Sequence, residues 1–247
     1  MTNNDLKTPF LSIIIPARNE ERYVEAAIAS VAGQSYPADR LECLVVDNGS
    51  GDRTVGVGEE FARRLADEGS ALKVRVECER EPGVGRAKNR GAGAAQGDVL
   101  IFLDADSRMD PNLAHDVAAA WQSGDPAGSI RVLADSTHPV DRGFFALMEV
   151  GKVLFGIRSQ MMYCDRALFL ELGGFHPDLQ LGEDLEFLKR VQRHVRDSGR
   201  GTVCHIRTSS IRTSPRRLRT HPFYLGMIPM FGRWFLAFLG IGRTRRY

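Results

Sequence analysis

Residues 41–50, LECLVVDNGS, join a nearly continuous apolar run to an acidic, glycine-containing turn, and this pattern decides the fold. An apolar run of this length indicates a strand covered on both faces, which is typical of parallel sheets. Similar runs alternate with segments of helical periodicity, and this predicts a doubly wound α/β fold: one mostly parallel sheet with helices on both faces. The predicted strands are 11–16, 41–47, 72–78 and 99–103, and the predicted helices are 20–32, 54–67 and 85–95.

The second half of the chain is less regular. Asp110-Pro111 is expected to begin a helix, with Asp110 as its N-cap. No internal repeat or low-complexity linker divides the chain, so we predict one domain at 1–220 and an apolar, arginine-rich C-terminal tail at 221–247. Further strands are predicted at 129–134, 161–164 and 202–213, and further helices at 143–155, 167–172 and 185–196.

Composition and charge limit the classes of protein to which this chain could belong. The 247 residues are 43% hydrophobic and 26% charged, which is ordinary for a globular chain. Ten arginines and no lysine or acid lie between Ser198 and Tyr247; subtracting these ten charges from the net +2 leaves −8 for the first 197 residues. A basic end on an acidic body predicts an anionic partner (phosphate, lipid headgroup or nucleic acid), with a solvated basic tail as the alternative.

The cysteines and the N-terminal residues indicate the cellular compartment of the protein. Cys43, Cys78, Cys164 and Cys204 are widely spaced and form no Cys-x-x-Cys pair, so we predict reduced thiols in a cytoplasmic setting. The polar start MTNNDLKTPF has no signal-peptide core, and no run reaches about 18 uncharged apolar residues, so no membrane span is predicted.

Polar residues follow three of the predicted strands, at the edge where open parallel sheets bind ligands. They are residues 16–20, residues 47–52 and the group Asp104-Ala105-Asp106. Two carboxylates at i and i+2 can hold one hard divalent cation, Mg²⁺ or Mn²⁺, together with phosphate oxygens of a substrate. Because Asp110 is assigned to the helix N-cap, Asp104 and Asp106 stay available for this chemistry.

Residues 83–88, GVGRAK, look like a dinucleotide-binding turn but do not meet its requirements. Lys88 replaces the third glycine, and the turn follows the third predicted strand instead of the first. A glycine turn that opens a helix can still present N–H groups to a phosphate, and Arg86, Lys88 and Arg90 add positive charge nearby.

Five motifs in order resemble the motif set of the family 2 glycosyltransferases, which have the GT-A fold. The resemblance covers about residues 11–196. The motifs are Pro16-x-x-Asn19-Glu20, Asp47-Asn48-Gly49-Ser50-x-Asp52-x-Thr54, Gly85-x-Ala87-Lys88-Asn89-x-Gly91, Asp104-x-Asp106 and Gly182-Glu183-Asp184. The resemblance implies a metal-dependent, inverting transfer of a sugar from a nucleoside-diphosphate sugar, with a UDP-sugar favoured over a GDP-sugar.

The resemblance also implies roles for individual residues. Asp184, with its neighbour Glu183, matches the family's catalytic base, and Asp104 and Asp106 would hold ribose, diphosphate and metal. Lys88 stands where the family usually has arginine. The implied nucleotide-sugar contacts are Pro16, Ala17, Arg18, Glu20, Asp47, Lys88, Asp104, Ala105 and Asp106.

The chemistry of these side chains supports the implied roles, and each group also has a purely structural alternative. A carboxylate at Asp184 could take the proton of an acceptor hydroxyl, although Glu183 and Asp184 could also be the acidic first turn of a helix. Arg216 and Arg217 stand where processive members have Gln-x-x-Arg-Trp, and they could bind the donor diphosphate or an anionic acceptor. Surface exposure is the alternative for this pair.

The composition of the C-terminal tail indicates the class of acceptor. Residues 223–239, FYLGMIPMFGRWFLAFL, are apolar apart from Arg233, and Arg243, Arg245 and Arg246 follow. We predict a membrane-interfacial segment and a cytoplasmic protein that is peripheral at the inner face of the membrane, acting on a glycan, lipid or polyprenyl-phosphate acceptor. An amphipathic tail packed on the domain and a dimer surface are the alternatives.

Three other classes compete with a glycosyltransferase. A nucleotidyltransferase usually opens with a glycine-rich basic loop, and residues 11–20 contain no glycine. A nucleic-acid-binding module is disfavoured because few aromatic residues lie among the arginines before Phe223 and because an acidic cleft repels phosphate. A non-catalytic relative that only binds nucleotide stays open.

Overall fold

The computed structural model describes residues 8–154, 161–179, 182–199 and 201–219. The predicted C-terminal tail therefore lies outside the described residues. The strands are β1 (Leu11–Ala17), β2 (Leu41–Asp47), β3 (Lys73–Cys78), β4 (Val99–Phe102), β5 (Ser107–Met109), β6 (Ala127–Ala134), β7 (Met162–Asp165) and β8 (Val203–Thr213). The α-helices are α1 (Val24–Ala32), α2 (Thr54–Asp67), α3 (Val84–Ala94), α4 (Leu113–Gln122), α5 (Pro139–Leu154), α6 (Arg166–Glu171) and α7 (Glu183–Ser198). Short 3-10 turns lie at Ala38–Arg40 and at Pro215–Arg219, and we call the second the arginine segment.

All eight strands belong to one sheet in the order β3-β2-β1-β4-β7-β6-β8-β5. The first four sheet positions are parallel, as the unbroken apolar runs predicted, because each strand is followed by a helix that crosses back over the sheet. β7 then pairs antiparallel with both β4 and β6, while β6 and β8 are parallel. The predicted fold class, one mostly parallel sheet between helices, is confirmed.

The two faces of the sheet bury two separate apolar cores. Because side chains alternate along a strand, Ile13 and Ile15 of β1 face one core and Ile14 faces the other. The first core includes α1 side chains such as Ile28, and the second includes side chains of α3 and α7. α3 lies very close to the sheet: a Cβ at Gly91 would be 2.5 Å from Ile14 Cγ2, so only glycine fits there.

The prediction that Asp110 is the N-cap of a helix was wrong. Asn112 precedes α4 and makes no side-chain capping bond. The Asp110 carboxylate instead accepts hydrogen bonds from Ser210 N (3.0 Å) and Ser210 Oγ (2.5 Å) and pairs with Arg212 Nε at 3.2 Å. Asp110 therefore joins β5 to β8, a contact between residues 100 positions apart that no local pattern reveals.

The other differences are the short strand β5, which was not predicted, and shifts at the ends of elements. α1 begins at Val24 instead of residue 20, because residues 18–23 form a loop bonded to the loop after β2, and α5 begins four residues earlier than predicted. No disulfide joins the four cysteines, all of which lie in the described ranges. Among helices of the described residues, none has the length and apolar character needed to cross a bilayer.

Candidate active site

The carboxyl ends of β1, β2 and β4 meet at one edge of the sheet, and the predicted site residues lie there. Ala17 is paired in register with Asp47, and Leu103 N donates to Ile14 O at 2.9 Å, which places Asp104 beside them. Pro16 and Ala17 are the last residues of β1, and Arg18 is exposed just beyond it. The sheet thus brings together the polar groups that follow three separate strands, as the sequence predicted.

The loops after β1 and β2 are locked to each other. Asn19 has a left-handed backbone (φ 56°), its N–H donates to Ser50 Oγ at 2.9 Å, and its Oδ1 accepts from Gly51 N at 2.8 Å. Glu20 N donates to Thr54 Oγ1 at 2.8 Å, and Thr54 N donates to Asp52 Oδ1 at 2.9 Å. Several residues of the motif therefore hold the two loops in shape, so that they can present Glu20 and Asp47.

Asp47 and Asn48 organise the next loops. The buried Asp47 carboxylate accepts from Gly49 N and Ser50 N at 3.2 Å each and closes its own turn. The Asn48 amide donates to the carbonyls of Glu79 and Glu81 and accepts from Gly83 N at 2.8 Å. Asn48 therefore fixes the start of α3, a role that sequence reasoning missed because the bonded groups are backbone atoms of a distant loop.

The arginine segment reaches the site from β8. Arg216 Nε donates to Asp106 Oδ2 at 2.9 Å, and another guanidinium nitrogen of Arg216 donates to Glu20 Oε1. The guanidinium carbon lies 4.5 Å from the centre of the Tyr23 ring, a cation–π contact that the sequence analysis did not find. Arg216 therefore ties the end of β8 to acids from the loops after β1 and β4.

Three carboxyl groups lie close together at this arginine. Burial raises the pKa of Glu20 despite the ion pair with Arg216, and burial raises the pKa of Asp104 despite the nearby Lys88 ammonium. Glu20 Oε2 is buried and has no hydrogen-bond partner among the described residues. The carboxylates of Asp104, Asp106 and Glu20 thus form an acidic group that favours a cation.

The donor set at Asp104 and Asp106 fits a hard divalent cation. Carboxylate oxygens are the ligands that Mg²⁺ and Mn²⁺ prefer, usually with substrate phosphates completing the coordination. Within the described ranges no cluster of three or more His, Cys, Asp or Glu side chains forms a complete protein cage. A metal at these two aspartates would therefore depend on a phosphorylated ligand, and it would compete with Arg216 for Asp106.

A buried ion pair lies beside Asp104. Lys88 Nζ of α3 donates to Glu183 Oε1 of α7 at 2.7 Å, and both side chains are only 9% exposed. Burial alone would lower the pKa of Lys88, but the carboxylates of Glu183, Asp104 and Asp184 raise it above its ordinary value. Burial alone would raise the pKa of Glu183, and Lys88 lowers it instead. Both groups are therefore charged at neutral pH.

Lys88 links the two acidic parts of the site. Its ammonium interacts electrostatically with Asp104 after β4 and with Asp184 in the first turn of α7. Glu183 is buried against Lys88, whereas Asp184 is partly exposed. α7 begins after Gly182, which has φ 76° and provides no side-chain cap. The acidic first turn thus suits both the helix dipole and a role of Asp184 in the cleft.

Arg217 completes the electrostatics of the site. Its positive charge acts on Asp104 and on Glu183, so both Arg216 and Arg217 of the arginine segment act on the acids of the site. Arg219, at the end of the segment, donates to Asp141 of α5. The three arginines therefore interact with different acids: Arg216 and Arg217 with those of the site, and Arg219 with Asp141 of α5.

Comparisons with known proteins agree with the resemblance that the sequence motifs indicated. The model of the family described as "Glycosyl transferase family 2" matches residues 12–164. Glycosyltransferase AglE of Haloferax volcanii is 39% identical over 98 residues, 40% of this chain and 31% of that protein. Dodecaprenyl-phosphate galacturonate synthase of Rhizobium johnstonii is 35% identical over 112 residues, 44% of this chain and 32% of that protein. These matches span about a third of each relative's length.

Two solved structures share the fold. S. aureus TarS in complex with UDP has a TM-score of 0.64 at 20% identity, over 83% of this chain and 60% of that one. The mannosyltransferase PcManGT from Pyrobaculum calidifontis, in complex with GDP-Man and Mn²⁺, has a TM-score of 0.66 at 22% identity, over 97% and 67% of the two chains. The likeness confirms the GT-A fold that the motif set predicted.

Proposed function

The chain belongs to glycosyl transferase family 2, and we propose that it transfers a sugar from a nucleoside-diphosphate sugar to an acceptor, with inversion at the anomeric carbon. One observation carries the proposal: the buried Lys88 ammonium interacts with both Asp104 and Asp184. An acid suited to the donor diphosphate and an acid suited to the acceptor therefore border the same site. Inversion needs a base on the side opposite the leaving group, because the acceptor attacks from that side, and Asp184 is the proposed base.

The donor is a nucleotide sugar, with UDP favoured over GDP, held at the carboxyl ends of β1, β2 and β4. Residues 16–20 and Asp47 contact the nucleoside, and the loop containing Ala105 lies along the ribose and diphosphate. TarS structures with UDP and UDP-GlcNAc, and the PcManGT complex with GDP-Man and Mn²⁺, support this class of donor. Arg216 and Arg217 bind the phosphates, for which planar guanidinium groups are well suited.

Asp104 and Asp106 would hold Mg²⁺ or Mn²⁺ together with the diphosphate. A bound divalent cation neutralises charge that develops on the departing diphosphate. Lys88 contributes a second, fixed positive charge near Asp104, and Glu183 holds Lys88 in place. Asp184 accepts the proton of an acceptor hydroxyl as the new glycosidic bond forms.

The acceptor is lipid-linked or a cell-envelope glycan, and the C-terminal tail brings the protein to the cytoplasmic face of the membrane. The names of the relatives support such acceptors, since one is a dodecaprenyl-phosphate galacturonate synthase and another is a poly(ribitol-phosphate) N-acetylglucosaminyltransferase. The apolar residues 223–239 and the arginines after them support membrane contact.

A thermal-unfolding screen of UDP- and GDP-sugars, with and without Mn²⁺, tests the donor proposal. A ligand at 100 times its Kd stabilises the folded chain by about 2.7 kcal/mol, so a UDP-sugar with Mn²⁺ should raise the Tm by several degrees. The Asp104→Asn variant is the control and should lose the shift. If no nucleotide sugar changes the Tm in either condition, the proposed function is wrong. If donors shift the Tm but no sugar transfer occurs with any acceptor, the non-catalytic alternative holds.

Arg216 should compete with the metal ion. Because Arg216 Nε occupies Asp106 Oδ2, Arg216→Gln should raise the affinity for Mn²⁺ without donor by about tenfold, since it removes a positive charge at hydrogen-bond distance from a ligand. The same variant should weaken binding of the nucleotide sugar. Electron paramagnetic resonance of free Mn²⁺ measures the first effect. Arg212→Gln, at a half-exposed arginine of β8 just before the segment, is the matched control, and equal Mn²⁺ affinities for Arg216→Gln and the unmodified chain would contradict this role.

A further inference from the structure

Helix α5 carries buried charged side chains on its inner side and large exposed apolar side chains on its outer side. Asp141 and Lys152 are buried, whereas Val140, Leu147 and Val150 are 43%, 63% and 53% exposed. Phe144 is buried on the inner side as well, so the helix packs on the core, but a helix that faces water normally carries polar side chains on its outer side. The buried charges of the inner side and the exposed apolar side chains of the outer side therefore each require an explanation.

The inner charges are fixed by specific partners. Asp141 accepts from Ser136 Oγ at 2.6 Å and from Arg219. Glu149 Oε1 accepts from Lys152 Nζ at 2.6 Å and from Val132 N at 3.2 Å, and Glu149 Oε2 lies 3.3 Å from His205 Nε2. Breaking a buried ion pair leaves an uncompensated charge, so these contacts strongly resist rotation of the helix about its axis. The orientation of the outer face is therefore determined.

The outer face of α5 is unlike a solvated helix surface. Its other exposed positions are Pro139, Arg142, Gly143 and Ala146, so the face carries one positive charge and no acid. At 100° per residue these positions and the three apolar ones fall within one arc, with Arg142 at its margin. α2 shows the contrast, because five of its six exposed positions are charged: Glu59, Glu60, Arg63, Arg64 and Asp67. Of the four large exposed hydrophobic side chains in the described ranges, three lie on this one face.

We propose that the outer face of α5 is a membrane-contact surface that lies on anionic lipid headgroups. Val140, Leu147 and Val150 would enter the boundary between headgroups and acyl chains, and Arg142 at the margin would meet lipid phosphates. The absence of acids from the face removes the repulsion that an anionic surface would otherwise exert. The charge pattern of the face thus complements an anionic bilayer.

Two connections along the chain agree with this occupant. Arg219 is bonded to Ser136 and to the inner side of the first turn of α5 at Asp141, so the described chain ends next to this helix, and the apolar residues 223–239 follow within a few positions. The arginine segment that ends at Arg219 begins at the candidate active site, where Arg216 contacts Asp106. The face would hold the site near the lipid surface. The surface itself does not depend on the proposed sugar transfer.

Vesicle flotation of the full chain tests the proposal. Vesicles of phosphatidylcholine with phosphatidylglycerol are compared with vesicles of phosphatidylcholine alone. Leu147→Glu should lower the apparent affinity for the anionic vesicles by about tenfold, because it replaces an inserted apolar side chain by a charge. Leu170→Glu is the matched control, since Leu170 is 48% exposed on α6, and it should bind like the unmodified chain. Equal binding by Leu147→Glu and the unmodified chain would overturn the proposal.

A labelling experiment separates this face from the tail. In the Leu147→Cys variant, anionic vesicles should slow maleimide labelling of the new thiol several-fold, measured by mass spectrometry of its peptide. The native Cys78, exposed at the end of β3, is the internal reference and should label at the same rate with and without vesicles. A thiol at 147 that labels equally in both conditions overturns the proposal. A thiol protected before vesicles are added also overturns it, because the tail or a second copy would then cover the face.

Discussion

Replacing Asp184 with asparagine should lower kcat for sugar transfer by about 10²–10⁴-fold and leave the Kd of the nucleotide sugar nearly unchanged. The amide keeps the size of the carboxylate but cannot accept the acceptor's proton. The position of Asp184, at the first turn of α7 and within the field of Lys88, supports this role. Steady-state kinetics measure kcat, and calorimetry measures donor binding.

Glu186→Gln is the matched control for this substitution. Glu186 is an acid in the same helical turn, but it is partly buried in a pair with Arg190 at 2.8 Å. Its loss should change kcat less than about twofold, because its carboxylate is bonded to Arg190 and is not one of the acids that interact with Lys88. If both variants have the same kcat, Asp184 is not the base.

Arg217→Ala distinguishes two classes of acceptor in the same assay. A hydroxyl acceptor must lose a proton, so Asp184→Asn should then be the more damaging change. A polyprenyl phosphate is already anionic, so Arg217→Ala should then reduce activity more than Asp184→Asn does. Equal and mild losses in both variants would contradict both mechanisms.

Replacing Lys88 with methionine should lower the free energy of unfolding by about 3–5 kcal/mol, because it leaves the buried Glu183 without its partner. The ammonium and carboxylate are 2.7 Å apart and each side chain is 9% exposed, so water cannot compensate for the loss. Urea unfolding followed by circular dichroism gives the change in the absence of any ligand. The effect should be one of the largest from a single substitution in this chain.

The double variant Lys88→Met/Glu183→Leu should recover most of that stability, since two apolar side chains can replace a buried ion pair at little cost. Arg90→Met is the control on the same helix. Arg90 is half exposed and pairs with Glu77, so its loss should cost less than about 1 kcal/mol. A Lys88→Met variant as stable as Arg90→Met would show that the ion pair does not contribute to folding. Donor binding by the double variant would then report the separate role of Lys88 at the site.

The sequence by itself determined the local parts of this protein. The helix at Thr54–Asp67 and the strand at Leu41–Asp47 were predicted with the bounds that the structure has. Unbroken apolar runs also predicted the parallel half of the sheet, because only a strand covered on both faces buries every side chain. Since parallel strands share one carboxyl edge, the acids that follow them were expected together, and Asp47 and Asp104 do lie at that edge.

Only the tertiary structure decided which distant groups touch. Lys88 and Glu183 are 95 positions apart, and Arg216 and Asp106 are 110 positions apart. Asp110, expected to cap a helix, bonds to Ser210 instead. The inward charges of α5 likewise depend on Arg219 and His205 from the end of the described chain. Propensity and periodicity act over a few residues, whereas these contacts follow from strand order and from how helices rest on the sheet, so they arise only once the chain is folded.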